Sequence, residues 1–494
     1  MHSESEKTSV SIVLALLPVV VLISLLGLSV YFFADDSSYG GNQIALLIAT
    51  AMAAFIGLKL GHTWDDLEQA MIKGISHSMI AILILLVVGA LIGSWMLAGT
   101  VQTMIYYGLQ LISADWFYAA ACLVCGISAL SIGSSWTVAG TLGIAFMGMS
   151  QAMQLNPAIT AGAVVSGAYF GDKLSPLSDT TNLAAAVTGT ELFRHIENLL
   201  WTTIPAFLIA LIAFILLGDN RELANQASID ETIKGLSDHF DLGIHLLIPV
   251  AVVFILAWRR VPALPTISAG AILGCIFAGI YQGEAIAAFI TAPDLSSIER
   301  TIQATWISLF NGYTSNTGNE ALDSLLTRGG MSSMLNTVWL ILCAMAFGSV
   351  MEHIGLLQRI LQGILSRVRS VTGLIISTVF TCIGSNVLTA DQYIGIVLPG
   401  RMFKLEYARY GLASENLSRT LEDSATLTSP LIPWNTCGAY MAATLGVATF
   451  SYLPYAIFNL MGPVLCIGFA VTHFRLVPLD NQESLRANTD NEIK

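Results

Sequence analysis

The stretch Gly171–Asn182, which reads GDKLSPLSDTTN, places three ionisable side chains around a proline, between two strongly apolar segments. The whole chain has 494 residues, of which 55% are hydrophobic and only 11% are charged. An ionisable side chain at bilayer depth costs a few kcal/mol or more, so such residues usually have a function. The stretch therefore predicts a functional break in a membrane-embedded helix.

Repeated apolar runs of about 20 residues on either side of this stretch predict a polytopic helical membrane protein. The first run, 11–33, follows a region that holds Glu4, Glu6 and only one basic residue, Lys7, and precedes no small-residue cleavage site, so we expect an uncleaved first helix. We place two further apolar stretches with polar interruptions, 100–113 and 354–368, flat at the membrane interface.

Composition and motifs exclude several classes of function. The net charge of −12 gives no basic surface for nucleic acid. The sequence has neither a Gly-x4-Gly-Lys phosphate loop nor a His-Glu-x-x-His motif, and its seven cysteines all lie in apolar segments. The longest loop, roughly 282–332, is too short and too apolar for a catalytic domain. We therefore expect no enzymatic activity and no cofactor.

The second half of the chain repeats the first, weakly but in register. The triplet Ile132–Ser134 (Ile-Gly-Ser) returns as Ile383–Ser385, and Asp172 falls on Asp423 at the same offset of 251 residues. The Ser-Pro-Leu triplet that begins at Ser175 returns 254 residues later. An ordered series of matches predicts two copies of one structural unit.

Each copy is predicted to contain five transmembrane helices, one of them broken, plus a helical hairpin. The expected fold class is therefore all-α. We expect a first repeat at 1–217, a polar linker at 218–242, a second repeat at 243–473 and a polar cytoplasmic tail at 474–494. The first repeat is predicted to contain helices near 11–33, 43–60 and 75–98, a hairpin at 116–151, a broken helix at 158–190 and a last helix at 197–217. The second is predicted to contain helices near 243–258, 264–281 and 333–352, a hairpin at 371–400, a broken helix at 419–447 and a last helix at 453–473.

An odd number of crossings per copy predicts that the two repeats have opposite orientations in the membrane. Loop charge supports this topology: with the N-terminus inside, sixteen Lys and Arg residues fall on the cytoplasmic side. Only Arg221, Lys234, Arg300 and Arg328 fall outside, and Lys173 lies within the membrane. We therefore expect both termini to be cytoplasmic, in a bacterial inner membrane.

Four interruptions, two in each half, are predicted to meet at the centre of the molecule. The hairpin tips are Gly133–Thr137 and Gly384–Thr389, and the helix breaks are Gly171–Asn182 and Glu422–Asn435. Unwound backbone within a membrane persists only where it lines a cavity or a bound ion. Inverted repeats with broken helices are typical of secondary transporters, whose substrates bind near these breaks.

The candidate ion- or substrate-binding residues are the ionisable, hydroxyl and amide side chains of these four interruptions. They are Ser134, Ser135, Thr137, Asp172, Lys173, Ser175, Ser178, Asp179, Thr180, Asn182, Ser385, Asn386, Thr389, Asp423, Ser424, Ser429 and Asn435. Asp172 either binds a cation or forms a structural ion pair with the adjacent Lys173. Asp179 is either a ligand or a helix N-cap, the tip hydroxyls are either ligands or turn partners, and Glu422 is either functional or a solvated charge at the interface.

Two segments resemble a known family. Ser166–Ala184 and Gly318–Ser333 closely resemble signatures of the NhaC-type sodium/proton antiporter family, and the similarity extends over nearly the whole chain. The resemblance implies paired helix hairpins, broken helices and a scaffold domain through which two copies form a homodimer. It also implies Na⁺ and protons as substrates, although members of this family include malate/lactate exchangers and carriers suspected of moving amino acids.

We therefore predict a Na⁺/H⁺ antiporter that uses the proton gradient to expel Na⁺. Asp172 and Asp423 are the leading carboxylates for Na⁺ and proton binding, with Lys173 as a neutralising internal cation. The alternative is a Na⁺- or H⁺-coupled carrier of a small organic acid or amino acid. The lipid bilayer is the expected environment in both cases.

Overall fold

The computed structural model describes residues 11–33, 37, 39–218, 222–292, 294–365 and 368–479, and every regular element within these ranges is a helix. The predicted first residues of the N-terminal repeat, Arg221 of the linker and most of the C-terminal tail lie outside the described residues. The all-α fold class is confirmed.

The described residues of the first half form ten α-helices. They are α1 (Ile12–Phe33), α2 (Gly41–Lys59), α3 (Trp64–Leu97), α4 (Thr100–Leu111), α5 (Phe117–Ile132), α6 (Ser135–Val138), α7 (Ile144–Ala152), α8 (Pro157–Leu174), α9 (Asp179–Thr188) and α10 (Leu192–Leu216). A π-helical turn at Ala139–Gly143 joins α6 to α7, so these two helices form one limb of the first hairpin and α5 forms the other.

The second half begins with α11 and ends with α24. Its helices are α11 (Glu222–His239), α12 (Ile248–Trp258), α13 (Ala263–Tyr281), α14 (Gly283–Phe289), α15 (Ser297–Asn311), α16 (Glu320–Leu326), α17 (Leu335–His353), α18 (Leu356–Leu365), α19 (Val371–Thr389), α20 (Gln392–Arg409), α21 (Ser414–Leu421), α22 (Thr436–Leu445), α23 (Thr449–Tyr452) and α24 (Ile457–Thr472). Between α21 and α22 the chain makes a π-helical turn, Glu422–Thr426, and a short 3₁₀ turn, Ser429–Leu431.

Eight helices of the described residues are long and apolar enough to cross a membrane, and two bent pairs of helices raise the number to ten. The broken helices stand apart from these because polar residues interrupt them. The protein is therefore a multi-pass membrane protein, as its hydropathy predicts.

The helices pack as two groups. In the first, α3 packs against α13, α15 and α17, and α2 packs against α1 and α17. In the second, α5 packs against α8, α10 packs against α24, and α19 packs against α20. The two breaks belong to the second group, which contains α8, α9 and α21.

Backbone atoms of the first group approach each other closely. The Gly330 amide donates a hydrogen bond of 2.7 Å to the carbonyl oxygen of Gly89, in the last third of α3. A Cβ atom added to Gly93 would lie 1.9 Å from the carbonyl oxygen of Ser308, so only glycine fits there. We call this contact of α3 with the residues around Ser308 and Gly330 the backbone junction.

Small residues also bring α5 and α8 together. A Cβ atom added to Gly167 would lie 2.1 Å from the carbonyl oxygen of Cys122, and one added to Gly171 would lie 2.1 Å from that of Gly126. Small residues at a helix interface allow close approach of two backbones, which is a common basis of packing within membranes.

Replacing Gly167 by alanine is expected to destabilise the protein by about 1–3 kcal/mol, because the methyl group would push α5 away from α8. The measurement is thermal unfolding of the purified protein in detergent. The matched control is Gly468→Ala in α24, where an added Cβ meets no atom within 4 Å. If the two variants unfold at the same temperature, the α5–α8 contact does not have the described geometry.

One expectation about local structure was wrong. The second hairpin does not turn at Gly384, because α19 continues to Thr389 and the left-handed residue is Ala390, with φ of 57°. The predicted polar linker 218–242 contains α11, after which Phe240 is buried. The long connection 282–332 contains three helices, α14 to α16.

Candidate cation site

A cavity of about 160 Å³ lies where the first hairpin tip, the first helix break and the start of α20 meet the face of α3. Its polar lining combines carboxylates, hydroxyls and an amide: Ser78, Ser134, Ser135, Asp172, Asp179, Asp391, Gln392, Tyr393 and Thr436. His77 of α3, Ala263 at the start of α13 and Cys437 of α22 also line the cavity. Both halves of the chain therefore contribute to one concave site.

Asp172 is the most buried carboxylate of this cavity, with 4% of its surface exposed. Its Oδ2 accepts two hydrogen bonds from Ser135, one of 3.0 Å from the backbone amide and one of 2.7 Å from the hydroxyl. Its Oδ1 has no hydrogen-bond partner among the described residues. The first hairpin tip thus fixes one oxygen of the carboxylate and leaves the other available to a cation.

Gly133 explains why the tip can reach Asp172. Its φ of 75° ends α5 in the left-handed region, and the chain then reverses into α6. Ser134 caps α6 by accepting a 3.3 Å hydrogen bond from the Thr137 amide, and the Thr137 hydroxyl donates to the Ser134 hydroxyl at 3.0 Å. Of the three predicted tip hydroxyls, those of Ser134 and Thr137 hold the turn, while that of Ser135 binds Asp172.

Asp179 and Asp391 are the other two carboxylates of the cavity. Asp179 is exposed to the cavity and receives hydrogen bonds from the Thr180 amide, at 2.9 Å, and from the Tyr393 hydroxyl. Asp391 is 8% exposed and caps α20 through a 2.9 Å bond from the Ile394 amide. Three carboxylates around a space of this size make it strongly attractive to cations.

The remaining residues of the first break mainly hold its shape. Ser178 is the N-cap of α9, so Asp179 is not the cap but the first helical residue. Asn182 donates to two carbonyl oxygens of the break, at 3.0 and 2.6 Å. Ser175 accepts a 3.3 Å bond from the Leu177 amide. These contacts keep the chain unwound between α8 and α9.

Lys173 does not pair with its sequence neighbour Asp172. Its ammonium group forms a fully buried ion pair with Asp423, 250 residues away. The carboxylate of Asp423 also accepts a 3.0 Å hydrogen bond from the Thr202 hydroxyl of α10. The structure therefore separates the two predicted carboxylates: Asp172 lines the cavity, and Asp423 lies outside the cavity lining, in a buried ion pair.

Three predicted residues of the second half form hydrogen bonds with other residues of that half. Ser429 donates a 2.7 Å hydrogen bond to the side-chain oxygen of Gln392, which the thiol of Cys437 also contacts at 2.7 Å. Asn386 and Asn435 bind backbone carbonyls: Asn386 donates to Ala425 at 2.6 Å, and Asn435 donates to Asn386 at 3.2 Å.

Three hydroxyls of the second half lie away from the cavity lining. Thr389 donates to the carbonyl of Ser385 at 2.9 Å, one helical turn back. The hydroxyls of Ser385 and Ser424 are buried and have no partner among the described residues. Neither the second hairpin nor the second break therefore forms a mirror copy of the contact between Ser135 and Asp172.

Sequence reasoning missed several lining residues. Gln392 and Tyr393 directly follow Asp391, so a correct position for the second turn would have placed them in the cavity. His77 lies within α3, on its cavity face. No sequence signal indicated Thr202, because its role follows from a contact between α10 and the second break.

One wall of the cavity includes Trp136, whose ring stacks on an aromatic ring from the other half of the chain. Trp136 of the first tip and Tyr440 of α22 stack with their ring centroids 4.1 Å apart. The Tyr440 hydroxyl donates a 2.8 Å hydrogen bond to the Trp136 carbonyl oxygen. We call this pair the aromatic closure.

The sequence matches known proteins along most of its length. The model of the Na⁺/H⁺ antiporter family matches residues 167–474. The Na⁺/H⁺ antiporter NhaC of Alkalihalophilus pseudofirmus is 41% identical over 428 residues, which cover 86% of this chain and 89% of that protein. The malate-2H⁺/Na⁺-lactate antiporter of Bacillus subtilis is 36% identical over 87% of this chain and 89% of that protein.

A more distant relative is named for a different exchange. The arginine/ornithine antiporter ArcD of Halobacterium salinarum is 33% identical over 96% of this chain and 95% of that protein. The match to the family model includes both helix breaks. The chain belongs to the Na⁺/H⁺ antiporter family.

Proposed function

We propose that this protein exchanges Na⁺ for protons across a bacterial inner membrane and that Asp172 binds the Na⁺. The observation that carries the proposal is the free Oδ1 of a buried aspartate that faces a cavity with two further carboxylates. The relatives support the same exchange, because the protein of Alkalihalophilus pseudofirmus, which is 41% identical, is named as a Na⁺/H⁺ antiporter.

Competition for Asp172 explains how the two ions are exchanged. A proton or a Na⁺ ion can neutralise this carboxylate, but both cannot occupy the same oxygen at once. Ser135 keeps the carboxylate oriented in either state, and hydroxyl and carboxylate oxygens are the ligands that hard cations prefer. Asp179 and Asp391 concentrate cations in the cavity without being its deepest carboxylates.

We infer the orientation of the site from the inverted-repeat topology. With both termini cytoplasmic, α13 begins at the cytoplasmic side, and Ala263, its first residue, lines the cavity. The cavity would then open to the cytoplasm and the aromatic closure would face outward. In this topology 1–217 and 243–473 are the two repeats, and transport requires the closure to open while the cavity closes.

The test is proton flux in liposomes that contain only the purified protein and an internal pH dye. An imposed Na⁺ gradient is expected to drive protons in the opposite direction without any organic solute. A matched gradient of choline chloride is the control and should drive none. Absence of proton movement in the wild type under a Na⁺ gradient would refute the proposal.

The alternative is a carrier that exchanges a small organic acid or amino acid together with these ions, as the names of the malate/lactate and arginine/ornithine relatives indicate for those proteins. The liposome assay separates the two. If proton flux begins only after malate, lactate or arginine is added, the organic solute is an obligatory substrate. Flux that is complete with Na⁺ alone supports the main proposal. Homodimer formation remains a prediction from the family.

A further inference from the structure

Glu422, the first residue of the π-helical turn in the second break, is completely buried. Neither of its carboxylate oxygens has a hydrogen-bond partner among the described residues, and the same is true of the hydroxyl of Thr426, one turn further on. A buried carboxylate without hydrogen bonds is very costly as an anion, because nothing replaces the water that it has lost. The expectation that Glu422 could be a solvated surface charge is therefore wrong.

The charges around Glu422 leave it without a counterion. Lys173 supplies one positive charge, and that charge is already paired with Asp423. Arg419, one turn earlier, donates to the side-chain oxygen of Asn198 at 3.0 Å and to the backbone oxygen of Arg475 at 3.1 Å. Arg419 therefore pairs with neutral oxygens and not with a carboxylate. Counting Asp172 as well, one of the three buried carboxylates has an ion-pair partner, and the other two have none among the described residues.

No side chain of the elements that pack around the π-helical turn forms an ion pair with Glu422 among the described residues. The buried titratable side chains of these elements, with those of α8 and α10, are Tyr169, Asp172, Lys173, His195, Cys382, Tyr407, Glu415, Arg419, Asp423 and Cys466. The exposed or half-buried ones are Asp179, Arg194, Glu197, Tyr393, Arg401, Lys404, Glu406 and Arg409. The Nδ1 atom of His195 lies 2.7 Å from the Ser418 hydroxyl. The thiols and the phenols carry no positive charge in any protonation state.

We propose that Glu422 is a second proton-binding carboxylate of the transport cycle, distinct from the carboxylate that binds Na⁺. A proton neutralises Glu422 without requiring any additional ligand. A Na⁺ ion at the same place would need several oxygen ligands and would lie beside the ammonium group of Lys173. Glu422 is also not part of the cavity lining, so it is shielded from the Na⁺ that enters there.

This inference rests on the proposed function and makes it more specific. If Asp172 alone carried ions, one proton would be exchanged for each Na⁺ and no net charge would move. A second proton on Glu422 makes the exchange electrogenic, with two protons moved for each Na⁺. Lys173, which follows Asp172 in α8 and pairs with Asp423 beside Glu422, links the two sites electrostatically.

The experiment measures the number of protons exchanged for each Na⁺ in liposomes whose membrane voltage is fixed with potassium and valinomycin. Wild-type flux is expected to depend on voltage, whereas Glu422→Gln should retain Na⁺-driven proton flux that no longer does, with one proton fewer for each Na⁺. The matched control is Glu415→Gln. Glu415 is another buried glutamate, in α21, and its carboxylate lies 3.7 Å from the guanidinium group of Arg194. This control should keep the wild-type ratio.

Each result decides the matter. A voltage-independent wild type, or an unchanged ratio in Glu422→Gln, overturns the role of Glu422 while leaving Na⁺/H⁺ exchange intact. Complete loss of Na⁺-driven flux in a folded Glu422→Gln protein would also overturn it, because Glu422 would then belong to the Na⁺ site. If Glu422→Gln does not fold, Glu422→Asp replaces it: a wild-type ratio with a shifted pH profile supports the proposal, and an unshifted profile contradicts it.

Discussion

Replacing Asp172 by asparagine is expected to lower Na⁺-driven proton flux by about 100-fold, which corresponds to about 3 kcal/mol of lost cation binding. The amide keeps the size of the side chain and can still accept the hydrogen bonds from Ser135, so the first hairpin tip should keep its position. It carries no negative charge, so neither a proton nor Na⁺ would be held as a counterion. The measurement is the initial rate of the internal pH change under a Na⁺ gradient.

The matched control is Asp65→Asn, which removes one carboxylate from the exposed first turn of α3, away from the cavity. Both variants should be produced at wild-type levels and elute as single species in size-exclusion chromatography. Retained exchange with an unchanged pH profile in Asp172→Asn would contradict the assignment. The Na⁺ site would then have to be sought at Asp179 or Asp423.

Replacing Lys173 by methionine is expected to destabilise the protein by about 3–5 kcal/mol. The side chain of Lys173 is fully buried and is the ionic partner of Asp423, which has one other hydrogen bond, from Thr202. Methionine fills a similar volume, so the loss comes from the buried charge that remains unpaired rather than from a cavity. Thermal unfolding in detergent measures the change.

A double variant separates the ion pair from general damage. Lys173→Met combined with Asp423→Leu removes both charges and should recover most of the lost stability, because apolar replacement of a buried pair is often neutral. Lys73→Met, on the exposed surface of α3, is the control for the substitution itself. If Lys173→Met is as stable as this control, the buried pair does not contribute as described.

The broken helices could be predicted from sequence because polar residues and prolines disrupt a membrane helix in a recognisable way. The breaks at Gly171–Asn182 and Glu422–Asn435 both fall where α8 and α21 end and where α9 and α22 begin. The second hairpin turn could not be predicted in the same way. Glycine is the usual left-handed residue, and Ala390 takes that conformation without any sequence signal.

The contacts between residues of the site were harder to predict than the identity of those residues. Asp172 and Lys173 are adjacent in sequence, but successive side chains on a helix point about 100° apart, so each faces a different neighbour. Asp172 meets the first hairpin tip, and Lys173 meets the second break. The contact of Lys173 with Asp423 joins residues 250 positions apart. Such contacts depend on how the helices pack, which no local pattern encodes.

The backbone junction has a mechanical consequence. Side-chain contacts can slide by exchanging rotamers, whereas a peptide hydrogen bond of 2.7 Å between Gly330 and Gly89 tolerates little relative displacement. Gly93 has no side chain, so the backbone of α3 lies directly against the backbone of Ser308. We infer that α3 and the helices packed against it form the static part of the molecule. Each transport cycle then strains the loops that join these helices to the hairpins and broken helices, whereas the backbone junction remains unstrained.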